Sequence, residues 1–287
     1  MEFKDLILCR PALPKDRAAI MEFLKYVWDG DDYVPELWDS WLFADPGMLA
    51  VAEMGGAVVG QGHLADLGDG EWWLEGLRVH PDNREQGIGS HLHDYFIERW
   101  LESDGDVVRL ATHAHRISVQ KMCERTGFER VSAFLPMECT PLFGDSEHGL
   151  SLADEPNWQS ALEEIGETDY YGLLGGLMDY HWTFALPRAG RLSADQGDRL
   201  LKSADGWLHI VRVDPAERDR DAHLLATSAV GSSLESALLA LRRWMGEAGL
   251  EELSWLAPKE PEYLEVAAKV GFARMDEEGL LIYERQA

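Results

Sequence analysis

Leu74-Glu75-Gly76-Leu77-Arg78-Val79-His80-Pro81-Asp82-Asn83-Arg84-Glu85-Gln86-Gly87-Ile88-Gly89-Ser90-His91-Leu92 decides how this chain is read. An extended run ends in a Pro/Asp/Asn turn. The loop Arg84-x-x-Gly87-x-Gly89 follows and opens a helix. Such a loop bares backbone N–H groups at a helix N-terminus, where the dipole favours anions such as phosphates. Gly87 and Gly89 carry no Cβ, so an anion can approach the backbone closely.

Both flanks support a compact α/β unit. Leu6-Ile7-Leu8-Cys9 reads as a strand. Residues 16–28 read as a helix with Ile20, Phe23, Leu24 and Val27 on one face, and a second helix spans about 35–43. Residues 48–53 and 57–64 form a hairpin around Gly55-Gly56, and 71–79 is the strand that feeds the loop. A helix over 89–102, a strand over 106–112, a helix over 117–125 and a strand over 130–137 follow.

The Arg84-x-x-Gly87-x-Gly89 loop resembles the pyrophosphate loop of the GNAT N-acetyltransferase superfamily. The element order from residue 6 to 138 is that of the superfamily fold, and the helix ending in Gly127-Phe128 is a second family hallmark. The resemblance implies that acetyl-CoA is the co-substrate. Backbone groups of Leu77, Arg78 and Val79 would pair with its pantetheine arm. Arg84, Glu85, Gln86, Gly87, Ile88, Gly89 and Ser90 would hold its pyrophosphate. Where the family places a cofactor-touching Asn, this chain has His115 or Arg116. The Tyr that often serves as acid, four residues before Gly-Phe, is here Cys123, which reads as core packing.

A shift of 144 residues places Trp100 on Trp244, Gly105 on Gly249, Gly87 on Gly231 and Gly127-Phe128 on Gly271-Phe272. The chain therefore reads as an internal duplication. The expected division is a catalytic domain at 1–145 and a degenerate GNAT-like domain at 146–287. Each is a mixed, mostly antiparallel twisted sheet flanked by helices, an α/β (α+β) class. Arg84 falls on Ser228 and Gly89 on Ser233, so one cofactor loop per chain is expected.

Acetylating an amine needs a neutral nucleophile and so a base. Strict alternation along 71–79 sets Glu71, Trp73, Glu75, Leu77 and Val79 on one face, and Trp72, Leu74, Gly76, Arg78 and His80 on the other. Glu75 is the first candidate base and Glu71 the second; the alternative for Glu75 is a buried partner for an Arg or a backbone N–H. By the family's layout the acceptor faces Trp28-Asp29-Gly30-Asp31-Asp32-Tyr33-Val34-Pro35. Trp28, Asp29, Asp32 and Tyr33 suit an ammonium group by charge and cation–π contact, against the alternative of a turn and helix cap. His63 is a further pocket candidate or a structural strand residue. Trp28-x-Gly-x-Asp-Tyr-x-Pro, Trp41-Leu42 and Glu75-Gly76-Leu77-Arg78-Val79-His80-Pro81 resemble a branch that includes histidine N-acetyltransferase-like proteins, which implies a free amino acid as acceptor.

With 52 acidic and 26 basic residues the formal net charge is −26, which disfavours nucleic acid and suits an amine. Cys9, Cys123 and Cys139 lack metal-ligand or disulfide spacing, so no metal is expected. No apolar leader or membrane span is read, and a cytoplasmic protein is expected. The leading function is acetyl-CoA-dependent N-acetylation of a small-molecule amine or free amino acid, by direct transfer in a ternary complex. The alternatives are a protein or peptide N-acetyltransferase and an acyl-CoA-sensing pseudoenzyme. A homodimer is compatible with these readings.

Overall fold

The computed structural model describes residues 7–27, 30, 32–144, 147–213 and 220–287. Contacts group the chain into two compact units. The first takes the chain through Ala111 together with Ser118–Glu129 and Tyr283–Ala287. The second takes Thr112–Ile117 and Arg130–Ile282.

In the first unit β1 (Ile7–Pro11) pairs antiparallel with β2 (Gly47–Met54), β2 with β3 (Ala57–Asp66), and β3 with β4 (Glu71–Val79). Helix α1 (Arg17–Leu24) buries Ile20, Phe23 and Leu24, and α2 (Val34–Leu42) buries Val34, Trp38 and Trp41. These side chains form one apolar cluster with Leu49 and Val51 of β2. Pro35 in the first turn of α2 has its φ preset for a helix start. Helix α3 (Ile88–Leu101) covers the other face of the sheet with Ile88, Leu92 and Phe96. The approach is close because β3 carries glycines there. A Cβ on Gly60 would lie 3.0 Å from Ile88, and one on Gly62 would lie 2.8 Å from Phe96.

Strand β5 (Val107–His113) runs parallel to β4, and α4 (Ile117–Arg125) buries Met122 and Cys123. Burial pushes the Cys123 thiol up to about 12, which fits the core-packing reading of that position. His93 of α3 is also buried. Its Nε2 lies 2.8 Å from Thr126 Oγ1, which itself donates to the Met122 and Cys123 carbonyls. Burial, partly opposed by Asp94, lowers the His93 pKa to about 4. An unfolded imidazole titrates near 6.5, so the unfolded chain binds more protons between those values, and His93 costs stability as pH falls from about 6.5 toward 4. The loss between pH 7.5 and pH 5 is expected to be about 2 kcal/mol larger in the wild type than in His93→Gln. Urea unfolding at the two pH values measures it, and equal losses would refute the assignment.

The second unit contains most of β6 (Glu129–Cys139), then β7 (Leu150–Leu152), α5 (Trp158–Gly166), α6 (Tyr170–Leu173) and a small hairpin of β8 (Met178–Asp179) and β9 (Phe184–Ala185). β10 (Asp198–Ser203), β11 (Leu208–Val213), β12 (Asp221–Thr227), α7 (Ser232–Ala248), β13 (Glu252–Pro258), α8 (Pro261–Lys269), β14 (Ala273–Arg274) and β15 (Leu280–Gln286) follow; the last residues of β15 belong to the first unit. Its topology repeats the first: β7, β10, β11 and β12 pair antiparallel in that order, and β13 is parallel to β12. The parallel register covers Glu71–Leu74 against Val107–Leu110 in one unit and Asp221–Leu224 against Glu252–Trp255 in the other. Gly87 and Gly231 are the N-caps of α3 and α7. Gly127 and Gly271 both have positive φ, at 80° and 87°, and each precedes a buried Phe. The glycine pairs match the 144-residue shift, whereas the paired strands are offset by 150 and 145 residues. The strand-to-helix link differs: it spans residues 80–87 in the first unit and only 228–231 in the second.

Candidate active site

The site begins with one irregularity in β4. Glu75 pairs with His63 and Leu74 with Leu64, but Arg78 pairs with Gln61, so the register slips by one residue between them. Gly76 lies at this bulge with φ +62°, the left-handed region that favours glycine. A Cβ on Gly76 would lie 2.7 Å from the Trp41 ring. The extra residue reverses the alternation of the strand. Leu77 and Val79 turn toward α3, where their methyl groups approach Gly62 and Gly89. Arg78 joins Glu75 on the opposite face, beside α2. The expectation that Glu75, Leu77 and Val79 share a face, with Arg78 opposite, is thus corrected, because strict alternation holds only up to the bulge.

On that face a compact polar group forms. His63 Nδ1 lies 2.9 Å from Glu75 Oε1. The Trp41 ring stacks on the imidazole at 4.6 Å with an interplanar angle of 10°, and Tyr33 meets Trp41 edge-on at 6.0 Å. Gln61, on the same face of β3, donates from Nε2 to the Gly76 carbonyl at 2.5 Å and holds the bulge. Arg78 Nε donates to Asp32 Oδ2 at 2.6 Å, and its guanidinium lies over Tyr33 at 5.3 Å. The Tyr33 hydroxyl pKa is raised by burial, with Arg78 opposing.

Two expectations change here. Asp32 is fully covered at its side chain; it is the counter-ion of Arg78 and accepts from the Val34 N–H at 3.0 Å, so it positions α2 and Arg78 rather than offering a free carboxylate to an ammonium. Glu71 lies at the far end of β4, buried in an ion pair with Arg109, which also donates to Glu284 at 2.6 Å. A carboxylate so enclosed is a structural anion, not a base. Trp28 and Asp29 lie outside the described residues.

A second feature is the end of β4 and the loop that follows it. The register between β4 and β5 runs from Glu71↔Val107 to Leu74↔Leu110, and the rest of β4 leads on to the loop before α3. The loop beyond β4 exposes Arg84, Glu85, Gln86 and Gly87. Glu85 and Gly87 both have positive φ, at 63° and 83°. Gly87 caps α3 without any side-chain hydrogen bond. The first-turn N–H groups at Ile88, Gly89 and Ser90 thus lack a side-chain cap, as an anion site requires. A strand whose register with β5 covers Glu71–Leu74, leading to a helix start without a side-chain cap, suits an extended, phosphate-bearing ligand such as acetyl-CoA. His115 and Arg116 are exposed in the turn before α4, within the second unit. There His115 stacks on His113 at 5.3 Å, and His113 Nδ1 lies 2.6 Å from Asp276.

Gln61 and Trp41 are site members that the sequence reading did not assign. The signal for Gln61 was present, since it is two residues from His63 on one strand and so on the same face. Nothing local announces the ring stack of Trp41, which depends on how α2 lies on the sheet.

Comparison with known proteins bears on the fold. Residues 17–128 match the sequence model described as the acetyltransferase (GNAT) family. No curated protein matches the chain by sequence. Among solved structures, a GCN5-related N-acetyltransferase from Sphaerobacter thermophilus aligns over 98% of this chain and 95% of its own, with a TM-score of 0.66 and 14% identity. A tandem GNAT protein from the clavulanic acid biosynthesis pathway aligns over 98% of both chains, with a TM-score of 0.61 and 15% identity. A glucosamine N-acetyltransferase region of a fungal multi-domain protein aligns over 98% of this chain and 38% of that one, with a TM-score of 0.64 and 13% identity. These likenesses establish the fold along the chain. No helix among the described residues is long and apolar enough to cross a membrane.

Proposed function

We propose that this chain, whose residues 17–128 match the GNAT acetyltransferase family, acetylates the primary amine of a small molecule or free amino acid by direct transfer in a ternary complex. The carrying observation is the Glu75 carboxylate, partly exposed and held by His63, just beyond the β4–β5 register pair Leu74↔Leu110. The family match implies acyl-CoA-dependent acetyl transfer, and acetyl-CoA supplies an activated thioester acyl group when bound. The N–H groups of Gly87 to Ser90, with Arg84, would hold its phosphates, and the backbone of Leu77 to Val79 would align its arm. Glu75 takes the proton of the attacking amine, directly or through water. Cys123 is too deeply buried to carry an acyl group, which supports direct transfer. Residues 1–145 form the catalytic copy in this reading and 146–287 a degenerate one, whose shortened strand-to-helix link removes the phosphate loop.

Calorimetry with acetyl-CoA, combined with thiol release over a panel of amines, tests the reading. Glu75→Gln should lower kcat about 10²- to 10⁴-fold while acetyl-CoA affinity stays within about threefold. Unchanged turnover would remove Glu75 from the mechanism, and tight binding without turnover on any amine would favour the sensor. Gly87→Asp places a side chain at φ +83° and a negative charge at the uncapped helix start. It should weaken acetyl-CoA binding by at least about tenfold, or 1.4 kcal/mol. An unchanged Kd would place the phosphates elsewhere.

A further inference from the structure

We infer that His63 is the positioning residue for Glu75, with its imidazole proton on Nδ1 and a bare lone pair on Nε2. The inference rests on the reading of Glu75 as the base.

Three observations carry it. First, Nδ1 lies 2.9 Å from Glu75 Oε1, a hydrogen-bond distance. Second, the ring cannot swing away: Trp41 stacks on it, and the His63 side chain is 4% exposed. Third, Nε2 is buried and meets no hydrogen-bond partner among the described residues. An unpartnered buried polar atom in a native fold calls for an explanation, and here the tautomer supplies one. With the proton on Nδ1, a donor faces the carboxylate and the orphan atom is only an acceptor. With the proton on Nε2, a donor would be buried without a partner and a lone pair would face the carboxylate. Orphaned buried N–H groups are the rarer defect, so the first arrangement is favoured on both counts.

The consequence concerns Glu75. The bond from His63 engages Oε1 and fixes the carboxylate plane, while the side chain remains 20% exposed toward an incoming amine. The charged and titratable groups around it are His63 from β3, Asp32 and Tyr33 before α2, and Arg78 from β4. Asp32 and Arg78 engage each other. His63 touches Glu75 at hydrogen-bond distance, and with the proton on Nδ1 it donates to the carboxylate.

Long-range 1H–15N correlation on the 15N-labelled full chain at pH 7.5, without ligand, reads the tautomer. Comparison with His63→Asn assigns the ring. The expected pattern is a protonated Nδ1 and an unprotonated Nε2; the reverse pattern overturns the inference. In steady-state assays with acetyl-CoA, His63→Phe should lower kcat about 10- to 100-fold, the range for a group that orients another, with KM for acetyl-CoA within about threefold. His63→Asn, whose amide can still donate, should recover most of that loss. Wild-type kcat in His63→Phe, or an Asn variant no better than Phe, overturns the positioning role. If the wild type turns over no amine, the proposed function fails instead, and the tautomer pattern alone decides the His63–Glu75 contact.

Discussion

Gly76→Ala is expected to destabilise the fold by about 2–5 kcal/mol and to abolish most turnover. Two costs combine. At φ +62° a side chain meets the left-handed penalty of roughly 1–2 kcal/mol. The new Cβ would also lie 2.7 Å from the ring of Trp41, which is wedged in the apolar cluster of α1, α2 and β2. Overpacking of that kind costs about 1–3 kcal/mol. The effect on activity follows from topology. The bulge is what sets Arg78 and Glu75 on one face, and Trp41 both touches Gly76 and stacks on His63. Relief of the clash moves Trp41 and with it His63. Equilibrium urea unfolding and thiol-release rates measure the two consequences. An alanine variant with wild-type midpoint and rate would show that the bulge is dispensable.

The second large effect is expected at Arg109. Its guanidinium is 4% exposed and binds Glu71, 2% exposed, together with Glu284. Arg109→Met leaves two carboxylates without their cation, one of them deep in the sheet. Breaking a buried ion pair by removing one partner costs about 3–5 kcal/mol, most of it the uncompensated charge. The triple variant Glu71→Leu, Arg109→Met, Glu284→Leu should therefore be more stable than Arg109→Met alone, because no charge is stranded. Urea unfolding of the single and triple variants decides the matter. A single variant within about 1 kcal/mol of wild type would mean that the triad is hydrated rather than buried.

These two residues mark where sequence reading stops. Glu75 and Glu71 look equivalent in the strand Glu71–Val79, four residues apart on one expected face. Tertiary contacts separate them: Arg109 from β5 claims Glu71, and His63 from β3 meets Glu75. Asp32 likewise reads as a free acid in an acidic loop until Arg78, on a distant strand, is seen to engage it.

Local rules alone place most elements of the first unit. The helices over Arg17–Leu24, Val34–Leu42, Ile88–Leu101 and Ile117–Arg125 follow from apolar spacing, and the turns from paired glycines or Gly-Phe. The glycine loop between β4 and α3 is legible because its requirements are local: glycines, a strand before and a helix after. The short strands and helices between Leu150 and Val213 were not legible, since their apolar runs are too brief to show a period. Which carboxylate is enclosed and which stays partly exposed is a matter of tertiary contacts. A one-residue bulge at Gly76 reverses side-chain direction, and whether a charge is spent or available depends on which partner the fold brings within about 3 Å of it.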